Sequence, residues 1–198
     1  MRHRYLIIII ILLVFAAGPL VAAEGLFQMN SVFQRSTFPM FGSGGKDVIR
    51  YTGAGVGLKS TRGSGLQGVI DISILFPYSL EEKIYPLTIF SDRAITGYPV
   101  ALDGLVGLGY LLEADPMSFF FSGGFHTGSL FEGGSTLVAF GLGVDAQAFI
   151  RMGEVLTAQA GGKFAVDFGG VQTFVSGSNQ FAGFPISFAF YTGIGLKY

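Results

Sequence analysis

Three residues near position 130 have side chains that could carry out acid–base chemistry. His126 could act as a base, Ser129 as a nucleophile and Glu132 as a supporting carboxylate, a combination that activates a hydroxyl for attack. Apart from His3, His126 is the only histidine, so any imidazole chemistry in the folded protein depends on it. The sequence alone does not show whether these three side chains lie close enough together in the folded protein to form a site.

A second set consists of charged residues that could form ion pairs with one another. Charged residues make up only 13% of the chain, against about a quarter in ordinary soluble domains. Many of them alternate with apolar residues and so fall on one face of their segments. They are Lys59, Asp71, Asp103, Glu113, Asp145, Arg151, Lys163, Asp167 and Lys197. Charges enclosed in a narrow interior need partners, so we expect a pairing network that plugs the interior, with a polar gate as the alternative.

The elements that position these residues are β-strands. From Leu137 to Arg151 the even positions are apolar, whereas the odd positions hold Gly, Asp145, Gln147 and Arg151. A period of two is typical of a strand. The same alternation recurs near residues 52–59, 70–76, 102–113, 117–126, 156–168 and 186–198, and a partial pattern lies within Leu26 to Thr37. The sequence therefore predicts eight strands.

The connections between these strands alternate in length. Short turns are predicted near Ser60 to Gly65, Ala114 to Pro116 and Met152 to Glu154. Longer connections are predicted near 38–47, 78–100, 127–136 and 169–184. Short turns at one end and long loops at the other are typical of outer-membrane barrels, in which the short turns are periplasmic.

The first residues have the order of a secretory signal. Arg2 and Arg4 precede an apolar run, which the break Gly18-Pro19 and a small-residue site at 21–23 follow. We expect cleavage before Glu24, with a retained membrane anchor as the alternative. The predicted organisation is a signal peptide at 1–23 and one barrel domain at 24–198. The chain has no cysteine, so a lipid-modified cysteine and a disulfide framework are both excluded.

Side-chain size indicates which face of the strands is outside. After residue 23 no apolar run is long enough for a helical span, although half of the chain is hydrophobic. The interior of an eight-stranded barrel is only wide enough to be filled by side chains, and the large apolar residues would overfill it. We therefore predict a closed all-β antiparallel transmembrane barrel whose apolar face contacts lipid, rather than a soluble barrel. Tyr110, Phe168 and Tyr198 are placed to form interfacial girdles.

The C-terminus adds a resemblance to this prediction. Tyr191, Gly193, Leu196 and Tyr198 fit the terminal signal that the outer-membrane assembly machinery reads. Together with the signal peptide and the loop asymmetry, the chain resembles the small OmpA/OmpX/OmpW-like outer-membrane barrels. The resemblance implies a bacterial outer-membrane location, with membrane lipid and the assembly machinery as partners. It is architectural and carries no one function.

Several functions remain open, one of which is a purely structural role in the membrane with a plugged lumen. Inward glycines at 53, 55, 57, 107, 109, 141, 143, 193 and 195 would accommodate bulky inward neighbours or, as the OmpW likeness implies, leave a narrow conduit for small hydrophobic molecules. The mixed segment from Tyr78 to Val100 would suit adhesion to a host protein or a neighbouring protein. A lipid A-modifying enzyme built on His126 is a further reading, but by parity this base points inward, away from acyl chains. We expect a non-enzymatic protein without cofactor or metal, and the net charge of −1 gives no argument for nucleic acid.

Overall fold

The fold was analysed in a computed structural model. It describes residues 25–42, 45–62, 65–84, 86–87, 89–95, 97–114, 116–174, 177–180 and 183–197. The predicted signal peptide at 1–23 and Tyr198 of the predicted assembly signal lie outside these residues. Within them, no helix has the length and apolar character needed to cross a membrane.

Ten strands occur in the described residues. They are β1 (Gly25–Gly42), β2 (Gly45–Arg62), β3 (Leu66–Lys83), β4 (Ser91–Asp92), β5 (Val100–Ala114), β6 (Met117–Glu132), β7 (Ser135–Arg151), β8 (Leu156–Phe174), β9 (Gly177–Gln180) and β10 (Ile186–Lys197). Eight of them form the barrel wall. The short strands β4 and β9 only add to β3 and β8 at one end.

The wall closes through pairing of its first and last strands. β1 pairs antiparallel with β10 from Leu26↔Lys197 to Thr37↔Ile186, and β10 pairs with β8 on its other side. Closure leaves no free sheet edge, which is the condition for a sheet to be stable in lipid. The predicted eight-stranded closed barrel is therefore confirmed.

Burial alternates along the wall strands as the sequence predicted. In β7 the odd positions from Leu137 to Phe149 are buried, whereas outward side chains such as Leu142 and Val144 are 61% and 57% exposed. Large apolar side chains on the outside and small or polar ones on the inside are the pattern of a membrane barrel. The exposed apolar face is the surface that contacts lipid.

Two bulges place an additional aromatic residue on this outer face. Tyr78 lies between the paired residues Pro77 and Ser79 and has no partner on β2. Phe168 lies in the same way between Asp167 and Gly169, opposite β7. Both rings are exposed, as is Tyr110. The aromatic positions predicted for Tyr110 and Phe168 on the lipid-facing side are thus confirmed.

Two of the four longer connections predicted, those near 38–47 and 127–136, are instead paired strands almost throughout, whereas the one between β3 and β5 is long as predicted. β1 and β2 stay paired as far as Gly42↔Gly45, and β6 and β7 as far as Glu132↔Ser135. Gly133 and Gly134, with φ of +51° and +106°, form a two-residue turn of the kind that joins hairpin strands. Outside the membrane a strand can have polar side chains on both faces, so the apolar alternation that reveals strands is lost there.

The two ends of the barrel differ in consequence. We call the end with the extended hairpins the hairpin end, and the end with the connections at 62–66, 114–117 and 151–156 the turn end. The interior has an apolar layer near each end. Phe38, Met40, Leu80 and Leu130 belong to the layer at the hairpin end, whereas Val69, Phe120 and Phe149 pack at the turn end. Both layers enclose the polar groups between them.

Candidate functional site

A buried cluster around Lys59 occupies the part of the lumen nearer the turn end. The ammonium of Lys59 forms an ion pair with Asp145 on the opposite wall and donates to Gln147 Oε1 at 2.9 Å. The Tyr191 hydroxyl donates to the same aspartate at 2.5 Å. Gln147 Nε2 in turn donates to Gln28 Oε1 at 2.7 Å. These contacts tie β2, β7, β10 and β1 together across the lumen.

A second buried cluster lies around Lys163, nearer the hairpin end. Its ammonium forms ion pairs with Asp103 and with Asp71, the latter at 3.2 Å. Gln34 Nε2 donates to Asp103 Oδ2 at 2.8 Å. Four strands, β8, β3, β5 and β1, therefore meet at this point.

In both clusters, a lysine on one side of the lumen pairs with an aspartate on the other side. Lys59 is paired in register with Asp71 on adjacent strands, and Asp145 is paired with Lys163 in the same way. Each wall thus carries one cation beside one anion. The ion pairs Lys59–Asp145 and Lys163–Asp71 then both cross the lumen. Each charge faces an opposite charge on the far wall and has another beside it, which compensates its loss of water.

His126 belongs to the second cluster. Its Nε2 lies 2.9 Å from Asp103 Oδ2 and its Nδ1 lies 2.7 Å from Asp167 Oδ1, and the ring is 1% exposed. Because a carboxylate engages each ring nitrogen, neither nitrogen is available as a base. The sequence predicted the inward direction of His126 but did not place it in the charge network.

The trio of His126, Ser129 and Glu132 does not assemble. Residues 126 and 129 differ in parity on β6, so Ser129 lies on the outer face of the wall while His126 lies inside. Glu132 is buried and forms an ion pair with Arg93 at 3.2 Å. The hypothesis of a lipid-modifying site built on this trio has no geometric support.

The remaining charges of the predicted set lie at the turn end. Arg151 and Glu113 approach to 3.4 Å with side chains that are 55% and 67% exposed, and Lys197 is also exposed. The sequence grouped these three with the charges of the interior network, and for them that expectation was wrong, because their side chains are exposed whereas Lys59 reaches Asp145 in the interior. The described geometry therefore separates an enclosed set of charges from an exposed set.

Inward glycines create room that other side chains fill. A Cβ at position 109 would lie 2.3 Å from the Phe120 ring, and one at position 143 would lie 3.0 Å from Leu105. A Cβ at position 57 would lie 2.9 Å from Val32. The geometry at these positions fits the packing reading of the glycines rather than an empty conduit.

Polar groups on β1 were missed by the sequence analysis. Gln28, Asn30 and Gln34 are buried. Gln28 and Asn30 accept hydrogen bonds from side chains of other strands, and Gln34 donates one to Asp103. Their even spacing is a signal that the analysis could have used, because it continues the period of two through a strand whose apolar face is incomplete. Tyr191 was also missed as a lumen group, having been identified only as part of the C-terminal signal.

Gly193 and Leu196 of that C-terminal motif lie in the wall. Gly193 pairs with Asn30, and a Cβ there would lie 2.0 Å from the Met29 carbonyl oxygen, so a larger residue would force β1 and β10 apart. Leu196 is exposed on the outer face. Recognition by the assembly machinery stays a prediction.

The segment between β3 and β5 covers part of the hairpin end. The Arg93 backbone N–H donates to the Leu80 carbonyl oxygen at 2.8 Å, and its guanidinium reaches Glu132. Beside this anchor, Leu87, Ile89 and Tyr98 are 61%, 78% and 99% exposed. Large apolar side chains are thus displayed beyond the barrel wall.

The closed wall, the apolar outer face and the charged interior define an integral β-barrel membrane protein. Comparison with solved structures gives the same class. OprG from Pseudomonas aeruginosa superposes with a TM-score of 0.62 at 12% identity, covering 89% of this chain and 96% of that chain. Neisserial surface protein A gives 0.58 at 11% identity, covering 88% and 97%. The outer membrane protein AlkL gives 0.58 at 8% identity, covering 89% and 90%.

At these identities the similarity defines the fold. No protein-family model matches the sequence, and the search of curated proteins found no match. The chain has the fold of the small bacterial outer-membrane barrels, and this fold indicates an outer-membrane location.

Proposed function

We propose that this protein is a non-enzymatic outer-membrane barrel with a sealed lumen, which acts by presenting its hairpin end to a protein ligand. The observation that carries the proposal is the pair of ion bridges that cross the lumen, Lys59–Asp145 and Lys163–Asp71. With the interior closed, the surface left for recognition outside the membrane is that of the hairpins. Membrane lipid and, during insertion, the assembly machinery are the other proposed partners.

The closure of the lumen rests on packing as well as on charge. All four of these charged side chains are nearly inaccessible to solvent. The apolar layers at both ends add large buried side chains such as Tyr51, Leu75 and Phe120. An eight-stranded barrel offers an interior just wide enough for such side chains. A hydrophobic conduit, the function implied by the OmpW likeness, would need this space to be empty.

The recognition part rests on the segment between β3 and β5. Exposed apolar side chains on a water-facing surface are typical of protein interaction sites. Here Leu87, Ile89 and Tyr98 lie beyond the lipid-facing wall, and the ion pair between Arg93 and Glu132 holds the segment against the barrel. A segment held in this way loses less conformational entropy on binding than a free loop would.

Adhesion of bacteria that display the protein tests the proposal. The triple change Leu87→Ser, Ile89→Ser and Tyr98→Ser should reduce adhesion to cultured animal cells at least tenfold. The matched control is Met152→Ser with Val155→Ser at the turn end, where the replaced side chains are 56% and 53% exposed. This control should adhere like the parent protein.

Surface display of each variant is measured by protease accessibility of intact cells. Equal adhesion of the triple variant and the control at equal display would contradict the proposal. So would a parent protein that confers no adhesion.

A further inference from the structure

Two arginines lie on the outer wall, apart from the charges of the lumen, and one of them contacts the segment between β3 and β5. Arg35 on β1 has the same odd parity as the outward residues Phe27, Met29 and Phe33. Arg50 on β2 is paired in register with Thr37 of β1, which shares the parity of Arg35. Both guanidinium groups therefore lie on the lipid-facing side of the barrel.

These arginines share a single carboxylate. Arg35 Nη2 donates to both oxygens of Glu81 at 3.0 and 3.1 Å, and Arg50 Nη1 donates to Glu81 Oε2 at 2.9 Å. Arg50 Nε also donates to Thr37 Oγ1 at 3.4 Å. Two cations against one anion give these three side chains a net positive charge, and Asp92 of β4, paired in register with Glu81, is the next anion beside them.

Several donors of the pair remain available. A guanidinium has five N–H donors in a planar fork, and the described contacts leave Nε and Nη1 of Arg35 and Nη2 of Arg50 for another acceptor. The Arg35 side chain is 49% exposed. The Phe90 ring packs on the Arg50 guanidinium with 3.6 Å between its centroid and Cζ, which holds the plane of that group in place.

Neighbouring aromatic residues on the outer face indicate the height of the pair along the barrel. Phe33 and Tyr78 lie with ring centroids 6.2 Å apart on the outer face, and such aromatic residues mark the boundary of the hydrocarbon region. Arg35 is two residues beyond Phe33, or about 7 Å along the strand. We therefore expect its guanidinium near the depth of the lipid phosphates at the hairpin end.

We propose that Arg35 and Arg50 form a binding site for the phosphate group of a membrane lipid in the leaflet that surrounds the hairpin end. Arginine forks bind phosphate oxygens in pairs, and basic groups at this depth attract anionic headgroups. Glu81 orients the two forks and leaves their remaining N–H donors for the ligand. The site opens toward lipid, so the ligand is a lipid headgroup rather than free phosphate.

Native mass spectrometry of the purified full-length protein in detergent tests the site. The probe is bis-phosphorylated lipid A, compared with the same lipid after enzymatic dephosphorylation. The double change Arg35→Gln and Arg50→Gln should weaken binding of the phosphorylated lipid at least tenfold. Arg151→Gln, which removes an exposed arginine at the turn end, should leave it unchanged.

The change Glu81→Gln separates binding from structural support. It removes the competing anion but leaves both arginines, so we expect affinity for the phosphorylated lipid to rise severalfold. A role confined to holding β1, β2 and β3 together would make this variant bind as weakly as the double variant.

Three results would overturn the proposal. The first is unchanged affinity in the double variant, with folding shown by its heat-modifiable mobility on gels. The second is equal binding of phosphorylated and dephosphorylated lipid. The third is displacement of the lipid by millimolar inorganic phosphate, which would indicate a general anion site. If the double variant does not fold, a failure of Glu81→Gln to raise affinity has the same force.

Discussion

Replacing the buried Lys163 by Met should lower the free energy of unfolding of the barrel far more than replacing an exposed basic residue would. The side chain is 3% exposed and forms ion pairs with Asp71 and Asp103. After the change, Asp103 keeps Gln34 and His126, whereas Asp71 loses the ion-pair partner that bridges it to the far wall. Removal of one partner of a buried ion pair costs about 3–5 kcal/mol. We therefore expect the free energy of unfolding to fall by about that amount.

The assay is guanidinium unfolding of the protein in lipid vesicles. The chain contains no tryptophan, so the folded fraction is best measured by the mobility difference between folded and unfolded barrels on unheated gels. Arg151→Met is the matched control, because its ion pair with Glu113 is exposed. Exposed pairs contribute about 0–1 kcal/mol, and this variant should unfold nearly as the parent does.

A second substitution tests the reason for the effect. Adding Asp71→Leu to Lys163→Met removes the carboxylate that had lost its bridge, so most of the lost free energy should return. Equal destabilisation by Lys163→Met and Arg151→Met would refute the reasoning. So would a double variant less stable than Lys163→Met alone.

Three further changes probe the interior. Gly109→Val should cost about 1–3 kcal/mol through overpacking against the Phe120 ring, whereas Gly68→Ala, whose added Cβ would meet nothing within 4 Å, should cost far less in the same unfolding assay. His126→Leu leaves two buried carboxylates without a ring nitrogen and should lower stability by about 3–5 kcal/mol, whereas His126→Gln, which keeps a donor, should cost less. Tyr191→Phe removes a hydrogen bond to a buried carboxylate and should cost about 1.5–3 kcal/mol; an unchanged unfolding midpoint would show that this contact does not stabilise the barrel.

The membrane-embedded wall could be predicted because lipid constrains it. In β7 the outward positions must be apolar and the inward ones small or polar, so the alternation is visible from Leu137 to Arg151. Beyond the lipid that constraint disappears. The strand pairs that continue to Gly42↔Gly45 and Glu132↔Ser135 therefore looked like loops.

For the candidate site, the sequence predicted which side chains point into the barrel but not which of them contact each other. Parity placed Lys59, Asp145, Lys163 and Asp71 inside, but which charges pair across the lumen depends on strand order and stagger, which no local pattern records. His126 shows the same difference. Its inward direction follows from its position on β6, whereas its contacts with two carboxylates require β5 on one side and β8, beyond β7, on the other.

The measurement that tests the central claim most directly is conductance of the folded protein in a planar lipid bilayer, together with uptake of a small hydrophobic solute into vesicles that contain it. A lumen closed by Lys59–Asp145, Lys163–Asp71 and the apolar layers predicts no steady conductance and no uptake above that of empty vesicles. Flux through the parent barrel that Gly143→Leu blocks would show an open route through the lumen and would contradict the account.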